Sequence, residues 1–490
     1  MRIAVVGGGI AGLSAAYELQ KACEAGQPVE YTLFEDRARL GGSLASETID
    51  GSVLEQGPDS FITEKPAAAE LCRELGLGDQ LLPSNDGQRK TFIVVRNRMV
   101  PLPDGLMFLV PTKLIPTALT RLFSLPTKIK MALELLHPPR PAAGDESVAD
   151  LVRRHFGQEA VDRLADPLLS GIYGGDATRL SAQTVLPAMV KMEAEHGSLC
   201  RGMLAAHAQM RARMAQARSG APADGAKPKP RAIFTAMRGG MQQLVDALVA
   251  RLDPSALRTG TSVERLERMG NSWLLTTAAG SEYYDAVILA TPAWAASKML
   301  APVDAELAAS LDAIPYSSSI TLNLMYDEKQ LGTLPEGFGF LVPAVEGRSM
   351  LACTFVHRKF VGRTKAGKVI FRAFLGGMRN DALLAEPDEK LVDLVRRELN
   401  ELLGERVFPA AQAPEHVQVS RWNRAMAQYA VGHKERIRQI AEHVAALPGL
   451  RLAGNAYDGI GIPDCIRLGR KAARELAEAA AAVSPAEVQR

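Results

Sequence analysis

Three glycines at positions 7, 9 and 12 follow the apolar run IAVV, and an acid, Glu35, closes the next apolar run, EYTLFE. That spacing suits one task, holding a dinucleotide. Gly7 permits a tight turn, Gly9 lets the main chain approach a pyrophosphate, and Gly12 lets the following helix pack on its strand. The stretch Gly7, Gly8, Gly9, Ile10, Ala11 and Gly12 would then turn helix N–H groups toward phosphate charge. Glu35, with Asp36 beside it, is suited to accept hydrogen bonds from a ribose. Four residues past Glu35 stands Arg39, then Gly41 and Gly42. The glycine pair lets the chain pass close to a further length of ligand, while Arg39 either balances the diphosphate or pins the loop. Near the other end, GLRLAGNAYDGIGIPDCIRLGRKAA (449–473) places an apolar strand before Gly454-Asn455. A second glycine turn, Gly459-Ile460-Gly461, leads into a helix from Ile462 and again offers backbone N–H groups. No Ser-His-Asp set or pair of carboxylates stands out. The eight histidines are dispersed, so no acid–base residue is named.

These residues need elements to position them. The first 36 residues read as strand, turn, helix, strand, which is one βαβ unit. Residues 64–82 read as a helix that stops near Gly76, with Pro66 in its first turn. From 101 to about 140, prolines cut the chain into short amphipathic pieces carrying Lys113, Arg121, Lys128, Lys130 and Arg140 against Asp104 and Glu134. Residues 201–231 read as the loosest part of the chain, and their end, ARSGAPADGAKPKPR, as a mobile loop. A helix follows near GGMQQLVDALVARL, then strands at SWLLTTA and AVILAT. Further β-like stretches are SITLNLMY, FGFLV and VIFRAFL, and the end is helix-rich.

Bulk properties narrow the field. A chain of 490 residues, 47% hydrophobic and 23% charged, has room for two or three domains of ordinary globular kind. A net charge of +2 argues against a polyanion binder, so no nucleic acid partner is expected. The five cysteines, Cys23, Cys72, Cys200, Cys353 and Cys465, form no CxxC pair, which argues against a disulfide framework or a metal site. MRIAVVGGG is too short an apolar stretch for a signal peptide, and no run approaches the ~18 apolar residues of a spanning helix. A cytoplasmic protein, in solution or on the cytoplasmic face of a membrane, is the expectation.

Taken together, Gly7–Gly12, Glu35, Arg39 and Gly41-Gly42 resemble the extended flavin fingerprint of the FAD-dependent amine-oxidase superfamily, which implies FAD rather than a nicotinamide cofactor. The segments DPLLSGIYGGDATRLS (166–181), FLVPT (108–112), GFGFLVP (337–343), RWNRAMAQYAVGH (421–433) and GNAYDGIGIPDCI (454–466) sharpen this. They resemble protoporphyrinogen oxidase, including the bacterial group that oxidises coproporphyrinogen III. The resemblance implies an α/β fold: a Rossmann-type FAD-binding domain built from both chain ends, an α+β substrate-binding domain and an inserted helical, membrane-associating domain. The implied division is 1–62, 232–300 and 416–490 for FAD, 63–100 and 301–415 for substrate, 101–210 for the helical part and 211–231 for the loop.

Carried over by position, the resemblance implies that the adenine end of FAD lies against Gly7–Gly12, Glu35, Arg39 and the backbone of Val263. Gly42-Ser43 and the turn Gly57-Pro58-Asp59-Ser60 would run beside the pyrophosphate and flavin. Asn455, Ile460, Gly461 and Ile462 would close the other side. The tetrapyrrole would meet Leu341, Thr354, Phe374 and the Gly174-Gly175 turn. A propionate-binding arginine of eukaryotic relatives falls at Thr91, so that contact is missing or comes from Arg89, Lys90 or Arg96. The implied reaction takes a hydride from a bridging carbon of a porphyrinogen to flavin N5 and a proton from a pyrrole nitrogen, three times over, with molecular oxygen as electron acceptor. Position in a dry pocket, more than a strong base, is what the protein must supply. Contact of 101–140 with an anionic membrane and a homodimer are further expectations. The alternatives are a flavin amine or polyamine oxidase, which would want an aromatic cage, a carotenoid desaturase-like enzyme, and a non-catalytic flavin-binding carrier.

Overall fold

RIAVV is apolar and rich in β-branched residues, and it forms the central strand Arg2–Val6 of a five-stranded sheet. The order across that sheet is Leu257–Arg258, Glu30–Phe34, Arg2–Val6, Ala286–Leu289, Leu450–Leu452, and every adjacent pair is parallel. The sheet thus draws on the start, middle and end of the chain. Ile3 and Val5 point to one side, where they pack with the helices Ile10–Glu24, Gln242–Val249 and Ile462–Val483. Ala4 and Val6 point to the other, against the meander Val263–Met269, Ser272–Thr277, Gly280–Tyr284. Both faces are covered, which is why the strand is apolar throughout rather than alternating. Each such Val or Ile contributes about 1.5–3 kcal/mol by burial. The first and last helices meet backbone to backbone: a Cβ added to Gly469 would come within 2.0 Å of the Ala11 carbonyl oxygen. This computed structural model describes residues 1–103, 105–107, 109–111, 113–139, 144–219 and 232–483.

A second sheet has seven strands in the order His416–Ala427, Tyr316–Asp327, Lys368–Gly376, Met350–Phe355, Gly339–Leu341, Thr91–Val95, Arg98–Pro101. All its pairs are antiparallel except Gly339–Leu341 with Thr91–Val95. One face carries Phe340, Val342, Cys353, Phe355, Phe371, Ala373 and Leu375, and packs on the helix Asp388–Leu403 through Leu391, Val395 and Leu399. The other face, at alternate positions, carries the residues of the candidate site.

A helical region with its own core contains Leu125–Leu133, Val148–Phe156, Asp166–Tyr173 and Pro187–His196. Its anchor is the fully buried Glu134. That carboxylate accepts from Ser198 Oγ and from the Leu199 and Cys200 N–H groups, so it caps the helix Leu199–Ser219, and it also meets His155 Nδ1 at 2.9 Å.

Two boundaries differ from expectation. The mobile loop was expected from 211, yet the helix runs to Ser219. HAQMRARMAQARS is made of good helix formers, and the prolines begin only at Pro222. His416–Ala427, expected in the last part of the FAD domain, is an edge strand of the seven-stranded sheet. Its contribution is decided by long-range pairing that a local pattern does not report. Asp104, Phe108 and Thr112 of the motif region, Arg140, and 220–231 of the expected loop lie outside the described residues. Among the described residues no helix is long and apolar enough to cross a membrane.

Candidate functional site

The opening turn is tightened by backbone contacts. Gly7, at φ +106°, donates its N–H to the Phe34 carbonyl at 2.8 Å. A Cβ on Gly12 would fall 1.8 Å from the Gly7 oxygen, and one on Gly8 would meet Leu40 at 2.5 Å. Gly9 is different. Its φ of −71° suits any residue, and an added Cβ would meet nothing nearer than the Gly42 Cα at 4.0 Å. Neither conformation nor packing asks for glycine there, so the space itself is what the glycine preserves. The helix that begins at Ile10 has no side-chain cap, leaving its first N–H groups for an outside acceptor.

Glu35 directly follows the strand Glu30–Phe34 and is almost fully buried. It accepts from the Gly8 N–H at 2.6 Å and the Arg37 N–H at 3.1 Å. Burial, with Asp36 adding to it, pushes its pKa up to about 7. Val263 comes alongside because Thr261 donates to the Glu35 carbonyl and Gly260 to that of Arg37. Arg39 pins the loop, donating to the carbonyls of Leu40, Gly42 and Leu44 and to Gln242. Of the two roles open to it, this is the one its contacts display.

From Gly42 a line of backbone contacts leads away from the opening turn. A Cβ on Gly42 would meet the Gly9 Cα at 3.0 Å, and one on Gly57 would meet the Ser43 oxygen at 1.8 Å. The segment through Gly57, Pro58, Asp59 and Ser60 is held from its other side by the polar face of the seven-stranded sheet. Asn323 donates to the Glu55 carbonyl, Thr321 and Trp422 to that of Gln56, Arg372 to that of Gly57, and Arg363 to that of Asp59. With those carbonyls turned to the sheet, the amides of Gly57, Asp59 and Ser60 have no acceptor among the described residues. Asp59 is ion-paired to Lys359 at 3.0 Å and Arg372 at 3.6 Å, and these cations hold its carboxyl far below the usual range despite burial. Arg363 pairs with the buried Glu55.

The closing turn lies against the same region. Asn455 donates to the Ala425 carbonyl at 3.0 Å, and its own carbonyl accepts from Tyr429. The Gly461 N–H, expected to be available, donates to Asp464, whose carboxylate also takes Lys65 Nζ at 2.6 Å. Ile460 keeps an amide without an acceptor among the described residues, and Ile462 is buried at the helix start.

Leu341, Thr354 and Phe374 come from three adjacent strands. Leu341 pairs with Ala352, Ala352 with Phe374, and Thr354 with Arg372, so all share one face. They are partly exposed where their flanking strand neighbours are buried. The Gly174-Gly175 turn docks at this face: a Cβ on Gly174 would meet Ser317 at 3.0 Å, and one on the nearby Gly171 would meet Leu341 at 3.2 Å. Thr91 pairs with Gly339 beside them, while Lys90 is engaged with Glu336 at the surface and Arg96 lies in the turn of its hairpin. The residues missed from sequence are Glu55, Thr321, Asn323, Lys359, Arg363, Arg372 and Trp422. One signal existed, an arginine inside the apolar strand VIFRAFL.

An uncapped helix start, a cleared space at Gly9 and free amides at Gly57, Asp59 and Ser60 fit a long anionic cofactor. With the parallel sheet they define the class of dinucleotide-binding proteins. The chain belongs to the flavin containing amine oxidoreductase family, which it matches over residues 10–477, and its cofactor is FAD. It is 32% identical over 473 residues to the coproporphyrinogen III oxidase of Bacillus subtilis, covering 96% of each chain. To the chloroplastic protoporphyrinogen oxidase of Nicotiana tabacum it is 29% identical, over 96% of this chain and 84% of that one. A solved structure from Exiguobacterium sp. 255-15, described as a candidate protoporphyrinogen oxidase, superposes with a TM-score of 0.83 at 31% identity, over 98% and 99% of the two chains. Identity of this order over nearly whole chains puts the protein in the porphyrinogen oxidase group of that family.

Proposed function

We propose that this chain oxidises a porphyrinogen to the porphyrin in haem biosynthesis, removing six electrons in three two-electron steps, with coproporphyrinogen III ahead of protoporphyrinogen IX as substrate. The relatives named coproporphyrinogen III oxidase at 30–32% identity support that order. The observation that carries the reading is the patch of Leu341, Thr354 and Phe374 on one sheet face, next to a turn whose amides have no acceptor among the described residues. Bound FAD supplies a hydride acceptor at N5 and is restored by molecular oxygen.

The chain's own residues do the rest. Gly7–Gly12 would receive the pyrophosphate, Glu35 the ribose, and Val263 the adenine. Gly42-Ser43, Gly57–Ser60, Asn455 and Ile460–Ile462 would enclose the remainder. Leu341 and Phe374 offer a flat apolar wall that orients the macrocycle and excludes water. No side chain is assigned as acid or base.

Peripheral contact with a lipid surface is part of the same proposal. Ile115, Leu119, Leu125 and Leu136 are each 70–78% exposed, interleaved with Lys113, Arg121, Lys128 and Lys130.

Anaerobic mixing of the FAD-loaded protein with each porphyrinogen, and with putrescine, tests the function. Loss of flavin absorbance is expected with the porphyrinogens, faster with coproporphyrinogen III, and not with the amine. Bleaching by putrescine alone would make it an amine oxidase, and no bleaching by any of the three would make it a carrier.

A further inference from the structure

Five charged side chains are buried together where the Gly57–Ser60 turn meets the seven-stranded sheet. Glu55 and Asp59 supply two negative charges, and Lys359, Arg363 and Arg372 three positive ones. Their side chains are between 0% and 15% exposed. The group therefore holds one surplus positive charge away from water. An unbalanced buried charge costs several kcal/mol unless another group offsets it. Arg372 shows the imbalance most clearly. Its Nε has no partner among the described residues, one Nη nitrogen is spent on the Gly57 carbonyl, and the other lies 3.6 Å from an Asp59 that Lys359 already engages.

Contacts across the site say which part of the cofactor this charge faces. Gly9 touches Gly42, Ser43 touches Gly57, Gly57 accepts from Arg372, and the Arg372 guanidinium carbon lies 5.0 Å from the centre of the Phe374 ring. The line begins at the phosphate-facing turn and ends at the substrate wall. The cluster stands at the substrate end, where the redox-active ring belongs, and not at the pyrophosphate.

We infer that the Lys359–Asp59–Arg372 group, with Arg372 as its positioning residue, sets how strongly the bound flavin attracts electrons. This rests on the placement of FAD proposed above. When a hydride passes from the porphyrinogen bridging carbon to the ring, two electrons and one proton arrive together. The ring then carries one negative charge unless it takes a further proton. A fixed cation in a site of low dielectric favours that reduced anion over the neutral oxidised ring. The pyrrole proton leaves to solvent and takes no part in this balance. The apolar strand VIFRAFL thus has its single charge at the position where it bears on the flavin.

The test is the midpoint potential of bound FAD, read by anaerobic dye equilibration, in the wild type and in Arg372→Gln, Arg372→Lys and Lys359→Gln. Arg372→Gln is expected to keep stoichiometric FAD while the reduction equilibrium weakens about tenfold or more, a fall of about 30 mV for a two-electron couple. Arg372→Lys should restore most of it. If Arg372→Gln does not fold or does not retain FAD, Lys359→Gln decides, since it removes the same charge and leaves the bond to Gly57 in place. An unchanged potential in the FAD-loaded Gln variant overturns the inference. So does weaker FAD binding at unchanged potential, which would assign the charge to the phosphates. Wild-type protein that takes up no FAD would instead overturn the cofactor placement beneath it.

Discussion

Two turns flank the proposed cofactor, and they are built in opposite ways. The opening turn, Gly7–Gly12, is shaped by what its residues lack: three contacts at Gly7, Gly8 and Gly12 leave no room for a side chain. Its one buried acid, Glu35, comes from the adjacent strand 27 residues from Gly8. The Gly57–Ser60 turn is shaped by what other segments bring. Arg363 and Arg372 reach its carbonyls, and Thr321, Asn323 and Trp422 those of Glu55 and Gln56 just before it, all from more than 260 residues along the chain. Both arrangements leave backbone N–H groups without a cap or acceptor among the described residues. One gets there by local sterics and the other by long-range polar contacts, so they should fail differently.

The largest effect is expected at Gly12. Its Cβ would sit 1.8 Å from a backbone oxygen that cannot move cheaply, so Gly12→Ala should cost at least ~3 kcal/mol by overpacking or prevent folding outright. Gly9→Val separates fold from binding. It should unfold at the wild-type urea concentration and yet purify colourless. Retained stoichiometric FAD in Gly9→Val would remove the opening turn from the cofactor site.

The second turn is challenged by Arg363→Met. This leaves Glu55 buried with hydrogen bonds, among the described residues, from the Met241 amide and Ser46 alone, and removal of one partner of a buried pair costs about 3–5 kcal/mol. Urea unfolding should show that loss, with FAD binding weakened only as far as the turn loosens. A cost below ~1 kcal/mol would mean that the carbonyl contacts alone hold the turn.

The smallest effect is a pH dependence at Glu35. Its pKa is raised from 4.5 to about 7 by burial, so the folded chain binds more protons than the unfolded one between those values. The stability it contributes is fully present below about pH 4.5 and is lost as the pH rises through about 7. In the apoprotein, the stability of wild type relative to Glu35→Gln should therefore decline from pH 5 to pH 8. A ribose hydroxyl donating to the carboxylate favours the ionised form, so FAD affinity should rise over the same interval. Parallel urea profiles of the two proteins would contradict the shift.

How much was legible follows the same division. The βαβ unit, Glu35 and the glycine pair at 41–42 lie within 42 residues, and their geometry is set by contacts between near neighbours. Leu341, Thr354 and Phe374 were reached only by resemblance, because a half-exposed position in an apolar strand has no local signature. The ion pairs at Asp59 escaped notice because Lys359 and Arg372 are 300 residues or more away. Gly461 misled in the other direction. Its N–H looked available until Asp464, three residues on, folded back to take it.

By itself, the order of residues determined the glycine turn after the first strand, since a missing Cβ and a β-branched strand act over a few ångströms along the chain. It also determined that both chain ends carry such turns. Only the tertiary structure decided that the two ends share one sheet, that Gly469 lets their helices touch, and that His416–Ala427 joins the seven-stranded sheet. It alone decided that a surplus cation is buried beside the Gly57 turn. Charge balance is a property of whatever is packed together away from water, and which side chains are packed together is settled when the sheets meet.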